Sequence, residues 1–448
     1  MSPRSVAFLV LWPLLLAPVA AAAPPGDARA GEQWAVAPKA VFNLPAAWDA
    51  SRGAGVTVAV IDTGARIEHP DLAPNVWVNF GETPRNRVDD DGNGYVDDVH
   101  GVDLTSTAKR QDLTDGYGHG THVAGTIAAA ANRRGVVGVA PRARLMIVKV
   151  IPAKGAGRTS AVAEGIRYAV ANGAQVINMS LSGSTKDDRV RDAILAAADA
   201  NVVVVCSAGN DGLNIDRKPA YPVAYAAANL IGVAATAPDT GKALGDFSNF
   251  GRRTVAVAAP GADVLSTTSD GGYGFMSGTS MAAPHVAGVV ALMRSVAPKL
   301  SATEIRAVLL QNAARSSLPV GSGYVDARGA VRGAAAETAV TLGQRPRLRV
   351  VRAQSAGKGR GATTVIQFGV SGATDAVRRY RVLLGRKRVA ELAPGPSVLT
   401  ARVRRGGKRA TVQALGDGDR VISRVRARVT RVPKGKLDIG SGGDVGVG

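Results

Sequence analysis

The chain has a single cysteine, Cys206, among its 448 residues, so no intrachain disulfide can form. The same scarcity leaves no cysteine at the end of the N-terminal leader to carry a lipid. Cys206 follows four consecutive valines, which marks a buried, unreactive thiol rather than a nucleophile. Aromatic residues make up only 4%, and a core has to be built from alanine, valine, glycine and leucine. Beyond residue 23 no stretch is long and apolar enough to span a bilayer. Acidic residues are scarce in one region only. Residues 341–448 hold 24 Lys+Arg against 6 Asp+Glu, a net of +18, whereas the remainder holds 31 and 29, a net of +2. Nearly all of the formal charge of +20 therefore belongs to the C-terminal part. No internal repeat is present.

The first residues read as a secretory signal at 1–23. Arg4 supplies the positive start, Val6 to Pro18 is mostly apolar, and Ala20 to Ala23 offers small-residue cleavage sites. Residues 24–32 then read as a flexible mature N-terminus. The next three hundred residues alternate apolar runs with helical patterns. The runs Val56–Ile61, Leu145–Val150, Gln175–Met179, Val202–Cys206, Leu230–Ala235 and Val255–Ala259 suit parallel strands buried on both faces. Helices are expected at His119–Ala131, Ser160–Ala171, Arg189–Ala200, Ser280–Val296 and Ala302–Ala313, the last opened by a Ser301/Glu304 capping box. This order predicts an α/β fold, an open parallel sheet with helices on both faces, whose ligands bind at the carboxyl ends of strands.

After Ala335 short strands replace helices: Leu348–Ala353, Thr363–Val370, Tyr380–Leu384, Leu399–Val403, Thr411–Ala414 and Val421–Thr430. A small antiparallel β-sandwich is expected over 345–433, with a two-residue hairpin turn at Gly406-Gly407. Arg424, Arg426 and Arg428 share one face of its last strand. Residues 434–448 are Gly-rich and read as a disordered tail.

Three segments carry chemistry. Gly278-Thr-Ser-Met-Ala-Ala-Pro-His-Val-Ala-Gly288 puts Ser280 at the mouth of an apolar helix, where unsatisfied N–H groups and the helix dipole favour developing negative charge. A hydroxyl there needs a base and an orienting carboxylate. Gly118-His-Gly-Thr-His-Val-Ala-Gly125 supplies imidazoles, and Val58-Ala-Val-Ile-Asp-Thr-Gly64 ends a strand on Asp62. The His-x-x-His spacing of His119 and His122 lacks the glutamate of the zinc-peptidase pattern and has a serine partner, which argues against a metal there. Together, and in the order Asp, His, Ser, the segments resemble the subtilisin-like serine peptidases, from about Gln33 to Ala335.

The resemblance implies a peptidase domain over 33–337 and a triad of Asp62, His119 and Ser280, with His122 and His285 supporting the fold. It implies that Asn210, in Ser207-Ala-Gly-Asn-Asp211, is the oxyanion donor. Ser180, Leu181, Ser182 and Gly183 would pair with substrate backbone, with Ser207, Ala208 and Gly209 as the opposite wall of the P1 pocket. A cis Tyr221–Pro222 bond belongs to the same pattern. About forty residues separate the expected signal cleavage site from Asp62, too few for the folding propeptide that many secreted members carry.

Calcium is expected at two places. Asp89, Asp91, Asn93 and Asp97, with the Tyr95 carbonyl between them and Gly94 at the sharp turn, repeat the first nine positions of a calcium loop. His100 stands where a bidentate glutamate belongs, so Asp98 or a carboxylate from elsewhere must complete the shell. By resemblance alone, Gln33, Asp71 and Asn132 would form a second, stronger calcium site. No organic cofactor is implied.

The function expected is a secreted serine endopeptidase of broad specificity acting on protein or peptide substrates. The alternative is a catalytically silent member that binds surfaces through its basic domain. That domain has three readings: weak binding of anionic polymers, substrate targeting, or an arginine-rich face that is merely solvated. Neither specific nucleic-acid binding nor a membrane span after signal removal is expected.

Overall fold

A computed structural model describes residues 26–37, 40–105, 111–154, 156–238 and 243–341. It also describes the C-terminal strands within 347–431. The expected leader at 1–23 and tail at 434–448 lie outside the described residues.

The centre is a seven-stranded sheet built from β1 (Thr57–Asp62), β2 (Gly101–Asp103), β3 (Arg144–Lys149), β4 (Val176–Met179), β5 (Val203–Ser207), β6 (Leu230–Thr236) and β7 (Val257–Pro260). Its order is β2-β3-β1-β4-β5-β6-β7, and every neighbouring pair is parallel. β4, β5, β6 and β7 are buried at every residue. Their continuous Val/Ile/Ala composition follows from that, since crossover helices cover both faces of a parallel sheet. The helices are α1 (Leu44–Ala47), α2 (His119–Ala128), α3 (Thr159–Ala171), α4 (Asp188–Asp199), α5 (Thr279–Val296), α6 (Ala302–Gln311) and α7 (Ala327–Thr341). α2 packs with α5, and α3 packs with α4, each pair also lying against the sheet. Strands β8 (Val264–Thr267) and β9 (Tyr273–Met276) form an antiparallel hairpin that leads directly into α5.

The capping box of α6 forms as expected: Glu304 N–H donates to Ser301 Oγ at 3.2 Å and Ser301 N–H donates to Glu304 Oε2 at 2.8 Å. The Tyr221–Pro222 bond is cis. The N-terminal segment departs from the expected flexible arm. Residues 30–32 and 34–36 form short 3-10 turns, Arg29 N–H bonds the Gly135 carbonyl at 2.7 Å, and Asp27 is buried. Contacts made from a hundred residues away hold this segment, which its local composition does not register.

The C-terminal strands form two four-stranded sheets. β14 (Val398–Val403), β11 (Thr363–Ser371), β10 (Arg347–Ala356) and β17 (Thr430–Arg431) make one. β13 (Lys387–Leu392), β12 (Arg379–Leu384), β15 (Arg409–Leu415) and β16 (Val421–Arg428) make the other. All pairs are antiparallel except β10 with β17, and β10 packs against β15 and β16 of the second sheet. Ile366, Tyr380, Val382, Leu384 and Val412 are buried. The expected Gly406-Gly407 hairpin lies outside the described residues, but the strands before and after it are not partners: β14 pairs with β11, and β15 pairs with β12 and β16. A Gly-Gly pair permits a tight turn, but the strand partners are chosen by which faces have to be buried.

Candidate active site

The carboxyl ends of β1, β4 and β5 are adjacent in the sheet, and each delivers one part of the site. Asp62 is the last residue of β1 and is fully buried. His119 opens α2. Its Nδ1 lies 2.7 Å from Asp62 Oδ1, which also accepts the Thr63 N–H at 2.8 Å. Asp62 Oδ2 is buried without a hydrogen bond, so the imidazole supplies much of what compensates this carboxylate. The approach of α2 to β1 depends on Gly120, where a Cβ would fall 2.1 Å from the Gly64 carbonyl oxygen. Burial by itself pulls the His119 pKa down. The Asp62 carboxylate, through charge and hydrogen bond, and the charge of Asp115 outweigh it, and the pKa is raised.

Ser280 is the second residue of α5 and is half-buried. Its hydroxyl donates to the Ser180 carbonyl at 3.1 Å, and no hydrogen bond joins it to His119. A proline four residues on explains how this residue is held. Pro284 lacks the N–H that would bond the Ser280 carbonyl within the helix. The Ser180 hydroxyl takes that place, donating to the Ser280 carbonyl at 2.7 Å, with Asn178 Nδ2 donating to Ser180 Oγ at 3.1 Å. β4 and the start of α5 are thereby tied together at the nucleophile's own backbone.

Asn210 follows β5 and is exposed. Its Oδ1 accepts both the N–H and the hydroxyl of Thr279 at 2.8 Å, and Thr279 Oγ1 accepts the Gly209 N–H at 3.0 Å. With the oxygen so fixed, the amide nitrogen is the free end, 3.4 Å from the point where a Cβ on Gly278 would lie. Of the expected substrate-binding residues, Ser182 and Gly183 are exposed, Leu181 is half-buried, and Ser180, Ser207, Ala208 and Gly209 are buried. Gly183 exchanges both backbone hydrogen bonds with Tyr221, at 2.9 and 2.8 Å, which fixes that segment in an extended conformation.

His122 and His285 take no part in this cluster. His122 Nε2 faces the carbonyls of Val264 and Gly274 at 2.9 and 3.2 Å, and His285 Nδ1 faces the Met281 carbonyl at 2.9 Å. Burial lowers both pKa values to about 4, so each is a neutral packing residue near neutral pH. Cys206 is fully buried and its pKa is pushed up by that burial, as an inert thiol requires.

The acidic loop converges differently from its linear pattern. Glu82, Asp91 and Asp98 bring carboxylate oxygens within 4.8 Å of one another. Asp89 instead caps the turn, accepting from the N–H groups of Asn93 at 3.0 Å and Gly94 at 2.9 Å. Asp97 accepts from the N–H groups of Asn86 and Arg87, both at 3.1 Å. Asn93 Nδ2 donates to Asp91 and Asp98, and its Oδ1 accepts the Tyr95 N–H. Of the loop positions expected to ligate, Asp91 belongs to the convergent group, and Asp98, expected to complete the shell, joins it together with Glu82 from outside the loop. Glu82 and Asp98 are buried, and among the described residues no lysine or arginine pairs with any of the three. Burial, opposed by hydrogen bonds from Tyr168, Asn93 and Asn79, leaves the Asp98 pKa raised. An all-oxygen, uncompensated donor set of this kind suits Ca²⁺.

At the second place Gln33 is committed elsewhere. Its Oε1 accepts the Val137 N–H at 2.9 Å and its Nε2 donates to the Val137 carbonyl at 3.0 Å. Asp71 accepts from Asn132 Nδ2 at 3.0 Å and from the Val136 N–H at 3.1 Å. The residue that the sequence reading missed is Asp27. Its Oδ1 accepts the N–H groups of Asn132 and Arg133 at 2.9 and 2.7 Å, while Oδ2 is buried with no partner. Burial is the main cause of its raised pKa, and the charge of Asp71 adds to it. Two carboxylates with an orphaned buried oxygen fit a cation better than the Gln33 amide does.

Comparison with known proteins agrees with this geometry. The model of the subtilase family matches residues 53–348. An intracellular serine protease of Paenibacillus polymyxa is 40% identical over 259 residues, covering 57% of this chain and 72% of the relative. Thermitase of Thermoactinomyces vulgaris is 38% identical over 296 residues, covering 65% and 91%. An extracellular protease of Xanthomonas campestris is 37% identical over 348 residues, covering 69% and 57%. Among solved structures, a protease of Pseudoalteromonas arctica superposes with a TM-score of 0.56 at 34% identity, covering 70% of this chain and all of that one. The chain belongs to the subtilase family and is a subtilisin-like serine protease.

Proposed function

We propose that this protease is a secreted endopeptidase that cleaves flexible protein segments through an acyl-enzyme on Ser280. The observation that carries the reading is the 2.7 Å Asp62–His119 bond beside the N-terminus of the helix that bears Ser280. With its proton on Nδ1, held by Asp62, the neutral imidazole presents Nε2 as the base. As Ser280 Oγ bonds to the scissile carbonyl carbon, its proton passes to Nε2. That proton then leaves on the amine as the C–N bond breaks, and water repeats the sequence to release the acid. The hydroxyl now donating to Ser180 is a rotor, and catalytic hydrogen bonds of this kind tighten when substrate binds. Asn210 Nδ2 and the Ser280 N–H are the donors for the tetrahedral oxyanion. Residues 180–183 and 207–209 would receive an extended substrate by main-chain pairing, which demands little of its side chains and supports broad specificity.

The peptidase domain, expected over 33–337, also takes in the packed segment from Asp27 and the end of α7 at Thr341, and the basic sandwich spans 345–433. The leader at 1–23 supports secretion, as does likeness to an extracellular protease of Xanthomonas campestris; other relatives are intracellular. Among the described residues no helix is long and apolar enough to cross a membrane. Calcium has a structural role in this reading, held by Glu82, Asp91 and Asp98 and by Asp27 with Asp71. The sandwich is assigned weak, charge-based binding of anionic polymers.

The test is casein hydrolysis together with labelling by a fluorophosphonate, in wild type and Ser280→Ala. Labelling and hydrolysis by wild type alone are expected. A folded, calcium-loaded wild type that neither labels nor hydrolyses would overturn the reading in favour of a silent surface-binding protein.

A further inference from the structure

Asp62 and His119 are contributed by different elements, 57 residues apart, and something has to fix their separation. A carboxylate in the loop before α2 touches both sides of the gap. Asp115 is 4% exposed. Its Oδ1 accepts the Thr63 hydroxyl at 2.8 Å, the Gly118 N–H at 2.7 Å and the Tyr117 N–H at 3.2 Å. Its Oδ2 accepts the N–H and the hydroxyl of Thr121 at 2.8 and 2.7 Å. Thr63, the residue after Asp62, in turn accepts the Gly120 N–H on Oγ1 at 2.8 Å. The N–H groups of the N-cap Gly118 and of Gly120 and Thr121 in the first turn of α2, which have no carbonyl partner within the helix, are thus satisfied from the end of β1 and from Asp115.

Five donors converge on this side chain and no cation pairs with it among the described residues, so it is an acceptor-only carboxylate. Lys149, at the end of β3, steadies the loop instead, donating to the carbonyls of Asp112 and Thr114 at 2.9 and 2.8 Å. Around the imidazole, β1 supplies Asp62, the loop supplies Asp115, α2 supplies His122 and α5 supplies His285 next to His122. Both latter rings are neutral above about pH 4. Among the described residues, Asp112 and Lys149 are the other charged groups on the loop side, and the Arg66 backbone N–H bonds Thr121 Oγ1 at 3.1 Å.

We propose that Asp115 is a positioning residue of the peptidase reaction, clamping the strand end that bears Asp62 to the helix start that bears His119 and holding a second negative charge beside the imidazole. The proposal rests on His119 acting as the base. A charge next to the ring favours imidazolium, so its loss makes the ring easier to keep neutral.

The first measurement needs no activity: NMR titration of the His119 imidazole in full-length Ser280→Ala, with and without Asp115→Asn. The imidazole is expected to titrate at lower pH when Asp115 is replaced. In the active enzyme, Asp115→Asn should move the acid limb of kcat/KM the same way and lower plateau kcat about ten- to hundred-fold, the size expected for a misplaced base, with KM nearly unchanged. Thr63→Val cuts the tie but keeps the charge. It should lower kcat and leave the acid limb in place, and it carries the test if Asp115→Asn does not fold. Loss of thermal stability with the imidazole titration, acid limb and kcat all unmoved would reduce Asp115 to a helix cap and overturn the proposal. Failure of the broader peptidase reading shows separately, as a wild type that does not label.

Discussion

The seven-stranded sheet and the C-terminal sandwich solve burial in opposite ways. In the first, β4 to β7 are enclosed along their whole length, so no strand face is available for charge or recognition. Polar chemistry is forced to the strand ends, and Asp62, Ser180 and Asn210 all stand at or just beyond the ends of adjacent strands. In the second, alternate residues of β12 are buried, namely Tyr380, Val382 and Leu384, while Arg381 and Leu383 between them are only half-buried. Arg424 and Arg426 are exposed on its edge strand. A fold of the first kind concentrates function at a point, whereas one of the second kind spreads it over a surface. The charge partition, +2 against +18, follows that division.

The sharpest test of the point-like side is Asn210→Ala. Thr279 fixes the amide oxygen through two 2.8 Å bonds, so the nitrogen is positioned in advance of the substrate. Loss of this donor should lower kcat by about 10²–10³, the range known for the corresponding asparagine of subtilisin itself, with KM little altered. Steady-state kinetics on a chromogenic peptide measures it. A loss shared equally between kcat and KM would mean that Asn210 binds substrate rather than the oxyanion.

The sheet was legible because its signal is local. Runs such as Val202–Cys206 and Leu230–Ala235, short and rich in β-branched residues, suit buried strands, and the strand observed at Val203–Ser207 is displaced by one residue. Ser280, His119 and Asp62 were legible through their motifs. What stayed hidden depends on chain returning from far away. α7 carries Gly329 in its first turn and Gly333 in mid-helix, which weakens its pattern; a Cβ on Gly333 would lie 2.5 Å from Asn312 at the end of α6, so close packing there explains that glycine. β2 is three residues long. Glu82 precedes the acidic loop and joins it only in space, and Asp27 meets Asn132 across 105 residues. Asp115 stands four residues before His119 in plain view, but nothing in its neighbours reveals that Thr63 shares it.

Calcium removal should act on one of the two regions and not on the other. Both candidate cation sites lie in the α/β part, and in each the carboxylates lack a cationic side-chain partner among the described residues. Ligand binding to the native state alone adds about 3 kcal/mol when the ion is a hundredfold above its Kd. Chelation of Ser280→Ala, chosen to prevent self-digestion, should therefore lower the melting temperature of the α/β transition in calorimetry. The transition of the sandwich should stay where it is. Asp27→Asn should remove part of the chelator-sensitive stabilisation and Asp98→Asn another part. An α/β transition indifferent to chelator would remove calcium from the account of both loops.

The smallest effect is expected on the sandwich face, and it tests the claim that function there is spread out. With its amide oxygen turned toward Arg424, Gln413 accepts two hydrogen bonds from that guanidinium at 3.0 and 2.8 Å, and the register places Thr411 opposite Arg426. Replacing Arg424 and Arg426 by glutamine should cost about 1 kcal/mol of stability, mostly through the hydrogen bonds lost by the buried Gln413, and leave peptide hydrolysis unchanged. If the face binds polyanions by charge, retention on a heparin resin should fall, and the slope of log affinity against log salt should drop by about two, one for each lost contact. If neither retention nor slope changes, these arginines only solvate the sheet. If hydrolysis itself fell, the face would act on the catalytic site, and the separation between a point-like and a spread-out function would fail where it is easiest to measure.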